Sequence, residues 1–264
     1  MDQALAKNIR QSILRASHRS GHGHIPTCFS IVESLIATYR FMDQDPQNPA
    51  APDRDMFVLS KGHASLAQYC TLAHLGYFEV AEVDRFGAHG STFGCHPDRL
   101  KVPGVEVSTG SLGHGIGVAV GMALAAKKQA AATQTRTRQV VTLIGDGEAN
   151  EGSVWEAVMV AADQALDNLK IIYDANKSQI RCLQLPDPAA RFAAFGCAVQ
   201  SVDGHDVAAL LTALNQPTDR PSVIVADTQK GYGCQTLVDE MFAWHRRSPD
   251  ANELALLMDE LDAR

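Results

Sequence analysis

The sequence of 264 residues predicts an α/β protein built on one doubly wound parallel sheet. Three observations carry that expectation. Helical and strand-like segments alternate along most of the chain. The apolar runs at 139–144, 169–173 and 222–226 are continuous, as strands covered on both faces require. Two of these runs end in short polar turns, Gly145-Asp146-Gly147 and Asp174-Ala175-Asn176. With 45% hydrophobic and 20% charged residues the composition is that of a globular protein, and the length suits one domain over residues 1–264.

Amphipathic spacing predicts helices over 2–20 and 30–41. A short apolar run, 56–60, is the first strand, and a helix follows over 63–75. Small and apolar residues at helical intervals give another helix at 113–128, in which the Gly117/Gly121 spacing signals close packing. The polar stretch 130–138 reads as a helix-to-strand loop, leading to a strand at 139–144. A helix at 150–165 and a strand at 169–173 come next. The rhythm continues with a helix at 189–195, a strand at 198–202, a helix at 206–214 and a strand at 222–226. An acidic helix over 250–264 closes the chain.

The formal net charge of −7 offers no basic surface to nucleic acid or to an anionic membrane, so a bound phosphate must be held locally. No apolar run approaches the roughly 20 residues of a membrane span, and the amphipathic N-terminus lacks the apolar core of a signal peptide. A cytoplasmic location without nucleic-acid or membrane partners is expected. Six cysteines, at 28, 70, 95, 182, 197 and 234, form no Cys-x-x-Cys pair and read as reduced, partly buried thiols.

In a doubly wound sheet, ligands bind outside the carboxyl ends of strands whose connections depart in opposite directions. Asp146 and Asn176 stand at two such ends, presenting a carboxylate and an amide oxygen. Magnesium selects hard oxygen ligands of this kind. Gly145 and Gly147 let the main chain approach a diphosphate, and the helix that follows offers free N–H groups. Either turn alone reads as a routine Gly-Asp-Gly turn or an Asp-x-Asn cap. The two together point to a site.

The segment Gly145-Asp-Gly-Glu-Ala-Asn-Glu-Gly-Ser-Val-Trp-Glu-Ala157, continued by Tyr173-Asp-Ala-Asn176, resembles the thiamine-diphosphate signature of transketolases. Five further blocks agree in order: Ser20-Gly-His-Gly-His24-Ile-Pro, Phe57-Val-Leu-Ser-Lys-Gly-His63-Ala-Ser, Gly94-Cys-His96-Pro, Pro103-Gly-Val-Glu-Val-Ser-Thr-Gly110-Ser-Leu-Gly-His-Gly115, and Trp244-His245. The likeness covers nearly the whole chain. It implies the Rossmann-like fold that binds thiamine diphosphate, with Mg2+ as the metal and Ca2+ or Mn2+ able to substitute.

Carried over position by position, the resemblance implies that Asp146, the Asn176 side chain and the main-chain oxygen of Ser178 ligate the metal. His63, Gly147 and His245 resemble groups on the diphosphate, with Gly145 and Glu148 in the same cofactor-binding turn. Gly110, Ser111 and Leu112 resemble the strip beside the aminopyrimidine. His24 and His96 resemble the histidines of the substrate funnel, and Glu151 an acid in a carboxylate network across the subunit interface. His24, His63, His96, His245 and Glu151 thus form the expected catalytic set. His22 stands second to His24. Nothing ties His18, His74, His89 or His205 to a site, and Trp155 reads as core packing.

The implied reaction transfers a two-carbon ketol unit from a ketose or ketose-phosphate donor to an aldehyde acceptor. The resemblance places the activating glutamate in a pyrimidine-binding domain outside these 264 residues, so a C-terminal transketolase subunit is the expected partner, in an α2β2 complex. Three departures bear on substrate: Gln179-Ile-Arg181-Cys182, Trp244-His-Arg246-Arg247, and His114. Arg181, Arg246 or Arg247 facing the funnel favours an anionic or unusual acceptor; otherwise they are solvated surface. The alternatives are another thiamine-diphosphate carboligase or synthase subunit with a non-standard acceptor, a non-catalytic scaffold that keeps the fold, and an NAD-dependent dehydrogenase that uses 110–115 as its dinucleotide loop.

Overall fold

Alternating strand faces organise the molecule. The computed structural model describes residues 2–181 and 183–263; Met1, Cys182 and Arg264, the last placed by the sequence in the closing helix, lie outside the described residues. In chain order the elements are α1 (Asp2–Ser20), α2 (Ile25–Ser30), α3 (Val32–Phe41), β1 (Met56–Leu59), α4 (Ser65–His74), α5 (Gly115–Thr133), β2 (Val140–Gly145), α6 (Gly152–Asp163), β3 (Leu169–Ala175), α7 (Pro188–Ala194), β4 (Ala198–Asp203), α8 (Val207–Asn215), β5 (Ser222–Asp227), α9 (Gln235–Asp239) and α10 (Ala251–Asp262).

The five strands are parallel, in the order β1-β2-β3-β5-β4. Phe57, Leu59, Val141, Leu143, Ile172 and Ile224 point to one face, where α1, α3, α4 and α8 close the core. Their neighbours Met56, Val58, Val140, Ile144, Ile171 and Tyr173 point to the other, under α5, α6 and α7. The central strands are therefore apolar on both faces, which is why the sequence runs are continuous rather than alternating.

The connections place the site. After β1 the chain turns through Gly62–Ala64 into α4 on the first face, whereas after β2 it enters α6 on the second. After β3 it reaches α7 on the second face, and after β5 it returns to α9 and α10 on the first. The central strands β2 and β3 thus end in a crevice flanked by oppositely departing neighbours. The register sets Gly145 opposite Asp174, so Asp146 and Asn176 emerge side by side.

Several predicted boundaries moved. The expected helix 30–41 begins at Val32, and a separate six-residue helix, α2, precedes it with a proline in its first turn. α5 runs into the expected loop, since Ala130, Ala131 and Ala132 are good helix formers, and stops only where Gln134 takes a left-handed conformation (φ 55°). Gly117 and Gly121 are exposed, and nothing lies within 4 Å of where a Cβ would stand, so they mediate no close packing within this chain. Cys28, Cys70, Cys95 and Cys197 are free thiols; burial pushes that of Cys28 up to about 12. No helix among the described residues is long and apolar enough to cross a membrane.

Candidate active site

Asp146 and Asn176 are each 2% exposed. Asp146 Oδ1 accepts from the Gly147 amide at 2.7 Å, and Oδ2 from the Gln179 amide at 3.2 Å. Asn176 Nδ2 donates to Asp174 at 2.7 Å and to Ser30 at 3.1 Å, which turns its oxygen toward Asp146. The two side-chain oxygens then converge on one position, where the Ser178 hydroxyl lies 2.8 Å from Asp146 Oδ1 and 2.7 Å from Asn176 Oδ1. A carboxylate oxygen and an amide oxygen closing on one half-buried point fit a hard divalent cation. At Ser178 it is the hydroxyl and the amide that make these contacts, the amide donating to Asn176 at 3.0 Å. The left-handed Lys177 (φ 63°) provides the reversal that brings Ser178 back over the strand ends.

Beneath this pair lies a carboxylate whose role the sequence did not disclose. Asp174, 1% exposed, accepts from Lys61 Nζ at 2.5 Å, from Thr228 at 2.5 Å, and from Ser30 at 2.9 Å, as well as from Asn176. Lys61 follows β1 and Lys230 follows β5; both are buried, at 1% and 2% exposure. Burial, reinforced by the charge of Lys61, pushes the Lys230 ammonium down to about 8. Its Nζ sits 3.2 Å from His245 Nδ1. Lys61 is paired with Asp174, while the buried Lys230 ammonium favours an anion beside it. Lys61 stands inside the Phe57-to-Ser65 block that carried the resemblance, and a lysine at the very end of an apolar strand was the available signal.

Three of the predicted histidines come together. The His24 ring stands 5.2 Å from His63 and 5.4 Å from His245, edge to face in both cases. Burial, followed by the charge of Lys61, lowers His63 to about 2. Burial, followed by the charges of His245 and Arg246, lowers His24 to about 4. His245 is lowered by burial and by Lys230, and His96 by burial and by His22. His24 and His63 are therefore neutral imidazoles near pH 7, each offering one N–H and one acceptor. His22 stacks on Phe86 at the rim, 6.1 Å from His24. His96 lies against the predicted strip, since a Cβ on Gly110 would stand 3.1 Å from its ring.

That strip is pinned from three sides. Thr109 donates to the Leu59 carbonyl at 2.7 Å, and Gly62 admits the backbone of Thr109 and Gly110 because a Cβ there would come within 2.8 Å of both. The third tie is Glu148. Predicted in the cofactor-binding turn, Glu148 is 1% exposed, and its oxygens accept from Ser60, from the Gly113 amide at 2.9 Å and from the Gly145 amide at 3.1 Å. It ties Gly113, which directly follows Gly110, Ser111 and Leu112, to the end of β2. Burial raises its carboxyl against the opposing hydrogen bonds from Ser60 and Gly113. Glu151 is exposed at the start of α6 and does not join the histidines. Residues 105–109 form no strand, so the dinucleotide-loop reading of 110–115 lacks the element it needs.

The three arginines separate. Arg181 stacks 3.8 Å over the Phe242 ring; Arg247 stacks 3.8 Å over Trp244 and pairs with Glu253. Arg246 is exposed, and its charge reaches His24 and His245.

A five-stranded parallel sheet with this crevice defines a cofactor-binding α/β domain, and the comparisons say which one. Residues 1–260 match the family described as transketolase, thiamine diphosphate binding domain. The chain is 39% identical over 266 residues to a subunit of the apulose-4-phosphate transketolase of Actinobacillus succinogenes, covering 97% of this chain and 94% of that protein. It is 39% identical over 240 residues to the 6-deoxy-6-sulfo-D-fructose transketolase subunit SqwG of Clostridium sp. (strain MSTE9), covering 88% and 86%. A Pichia stipitis transketolase solved in complex with sedoheptulose-7-phosphate superposes with a TM-score of 0.91 at 28% identity, covering 99% of this chain and 40% of that one. The chain belongs to the transketolase family, whose members are transferases, and it spans the part of the fold that binds thiamine diphosphate.

Proposed function

We propose that this chain is the diphosphate-binding subunit of a two-chain transketolase, holding thiamine diphosphate through Mg2+ and transferring a two-carbon ketol unit from a ketose or ketose-phosphate donor to an aldehyde. The observation that carries it is the convergence of Asp146 Oδ1 and Asn176 Oδ1 on one half-buried point at strand ends that also carry Lys61 and Lys230. Asp146 and the Asn176 side chain, joined by the main-chain oxygen of Ser178, hold the cation. Lys61, Lys230, His63, His245 and the Gly145 and Gly147 backbone face the diphosphate, and Gly110, Ser111 and Leu112 lie beside the pyrimidine.

Thiamine diphosphate, when bound, supplies the carbon nucleophile that breaks and remakes the carbon–carbon bond. The chain's own residues orient and exclude. Neutral His24 and His96 hold sugar hydroxyls, giving or taking a proton at a ring nitrogen. Arg246 at the mouth favours a substrate with an anionic end. Glu151, exposed at the start of α6, belongs to a carboxylate network at a contact between chains. A second chain supplies the pyrimidine-binding domain in an α2β2 complex, a reading supported by near-complete coverage of relatives named as transketolase subunits, against 40% of a single-chain transketolase. Residues 1–264 then act as one cytoplasmic domain.

The test combines this chain with its partner subunit, thiamine diphosphate and Mg2+, and follows ketol transfer from a ketose phosphate. Asp146→Ala is expected to abolish Mg2+-dependent cofactor binding; undiminished binding removes the metal assignment.

A further inference from the structure

The sequence left His205 without a role, yet its imidazole stands directly behind the segment that carries two site residues. Thr228 and Lys230 lie two positions apart, and both send their side chains to the cofactor crevice, Thr228 to Asp174 and Lys230 to His245. The residue between them, Gln229, turns its backbone N–H the other way and donates to His205 Nε2 at 2.9 Å. An imidazole nitrogen that accepts carries no proton, so the ring proton resides on Nδ1. His205 Nδ1 meets Glu33 Oε2 at 3.1 Å. Glu33 is in turn gripped by Arg10 through two contacts of 2.7 Å, with both side chains about 95% buried. The imidazole also stacks on Tyr232 at 3.6 Å, with 13° between the planes. Its tautomer and its position are therefore both set from α1 and α3.

We infer that His205 is a positioning residue: in its Nδ1–H form it pins the Gln229 amide and so fixes Thr228 and Lys230 where the diphosphate is held, which rests on the diphosphate reading of the crevice. His205 also forms a wall shared by the crevice-side cavity of about 370 Å3, which touches Asn176 and Lys230, and an outer cavity of about 740 Å3 beneath α1 and α8.

Three variants separate hydrogen bonding from packing. His205→Phe keeps a ring over Tyr232 and fills the space but neither donates nor accepts. His205→Gln supplies a donor and an acceptor on one side chain. His205→Ala removes everything, and where it fails to fold, the Phe and Gln variants decide. In the full chain, amide exchange at Gln229 is expected to rise roughly tenfold in the Phe variant and return toward wild type in the Gln variant, the loss of one net hydrogen bond. With thiamine diphosphate and Mg2+ as the probe, affinity is expected to fall by about the same factor in the Phe variant, while turnover with the partner subunit recovers at high cofactor. Ring 15N shifts in the wild type are expected to show the Nδ1–H tautomer. Wild-type exchange and affinity in the Phe variant, no rescue by Gln, or an Nε2–H tautomer each overturns the assignment. If the wild type binds no cofactor, the reading of the crevice falls, while exchange and ring shifts still decide His205.

Discussion

Asn176 works through what holds its amide. Its nitrogen is taken by Asp174 and Ser30, so its oxygen faces Asp146, and one buried carboxylate thereby neutralises Lys61 and aims a metal ligand. The pair Asp146 and Asn176 was legible because each sits in a short polar turn directly after an apolar strand. Asp174 and Lys61 were not legible as a unit: they touch across 113 residues of sequence, and a lysine beside a strand usually solvates. The depressed histidines give a pH prediction. His63 and His24 hold folded values of about 2 and about 4 against an ordinary 6.5, so below 6.5 the unfolded chain binds protons that the folded chain refuses. Stability is fully present above pH 6.5 and is lost as pH falls from there toward 4. Thermal melts between pH 7 and 4.5 are expected to show a smaller drop in Tm for His63→Gln than for the wild type; parallel curves contradict the assignment. Lys230 gives the complementary case at high pH. With its ammonium near 8, thiamine diphosphate affinity in the presence of Mg2+ is expected to fall as pH rises above 8, and Lys230→Met is expected to bind more weakly at pH 7 and to lose that slope.

Among the elements, the strip 109–113 shows how function depends on an absent side chain. Gly62 sits where the turn after β1 meets the backbone of Thr109 and Gly110, and a Cβ there would fall 2.8 Å from main-chain atoms. Neither backbone can yield without moving the strip that the cofactor's ring is proposed to face. Gly62→Ala is expected to cost about 1–3 kcal/mol in chemical denaturation and to weaken cofactor binding, with α4 and the sheet retained by circular dichroism. An unchanged midpoint shows that the strip is not packed against this turn. The strands were readable because their apolar runs are unbroken, and α1, α8 and α10 because their spacing is amphipathic. α2 was not: six residues, all buried, show no periodicity to separate them from a loop. The end of α5 was missed because its last turn is polar at Gln129 and Thr133, although helix propensity continues through the alanines between them.

For the whole molecule, the parallel order and opposed connections bring every strand-end group to one edge, so a chain of net charge −7 presents two buried lysines and a histidine cluster there. Fold class and crevice followed from the sequence. The inward clamp of Glu148, the pairing of Asp174 with Lys61 and the pin at His205 did not, because each depends on segments that meet only in the finished sheet. The central claim is that the strand ends of β2 and β3 hold thiamine diphosphate through a divalent cation. Titration of the chain, with its partner subunit, by thiamine diphosphate with and without Mg2+ tests it most directly, with Asp146→Ala alongside. Saturable, Mg2+-dependent binding that the substitution abolishes is the expected result; binding indifferent to Mg2+ and to Asp146 contradicts the account.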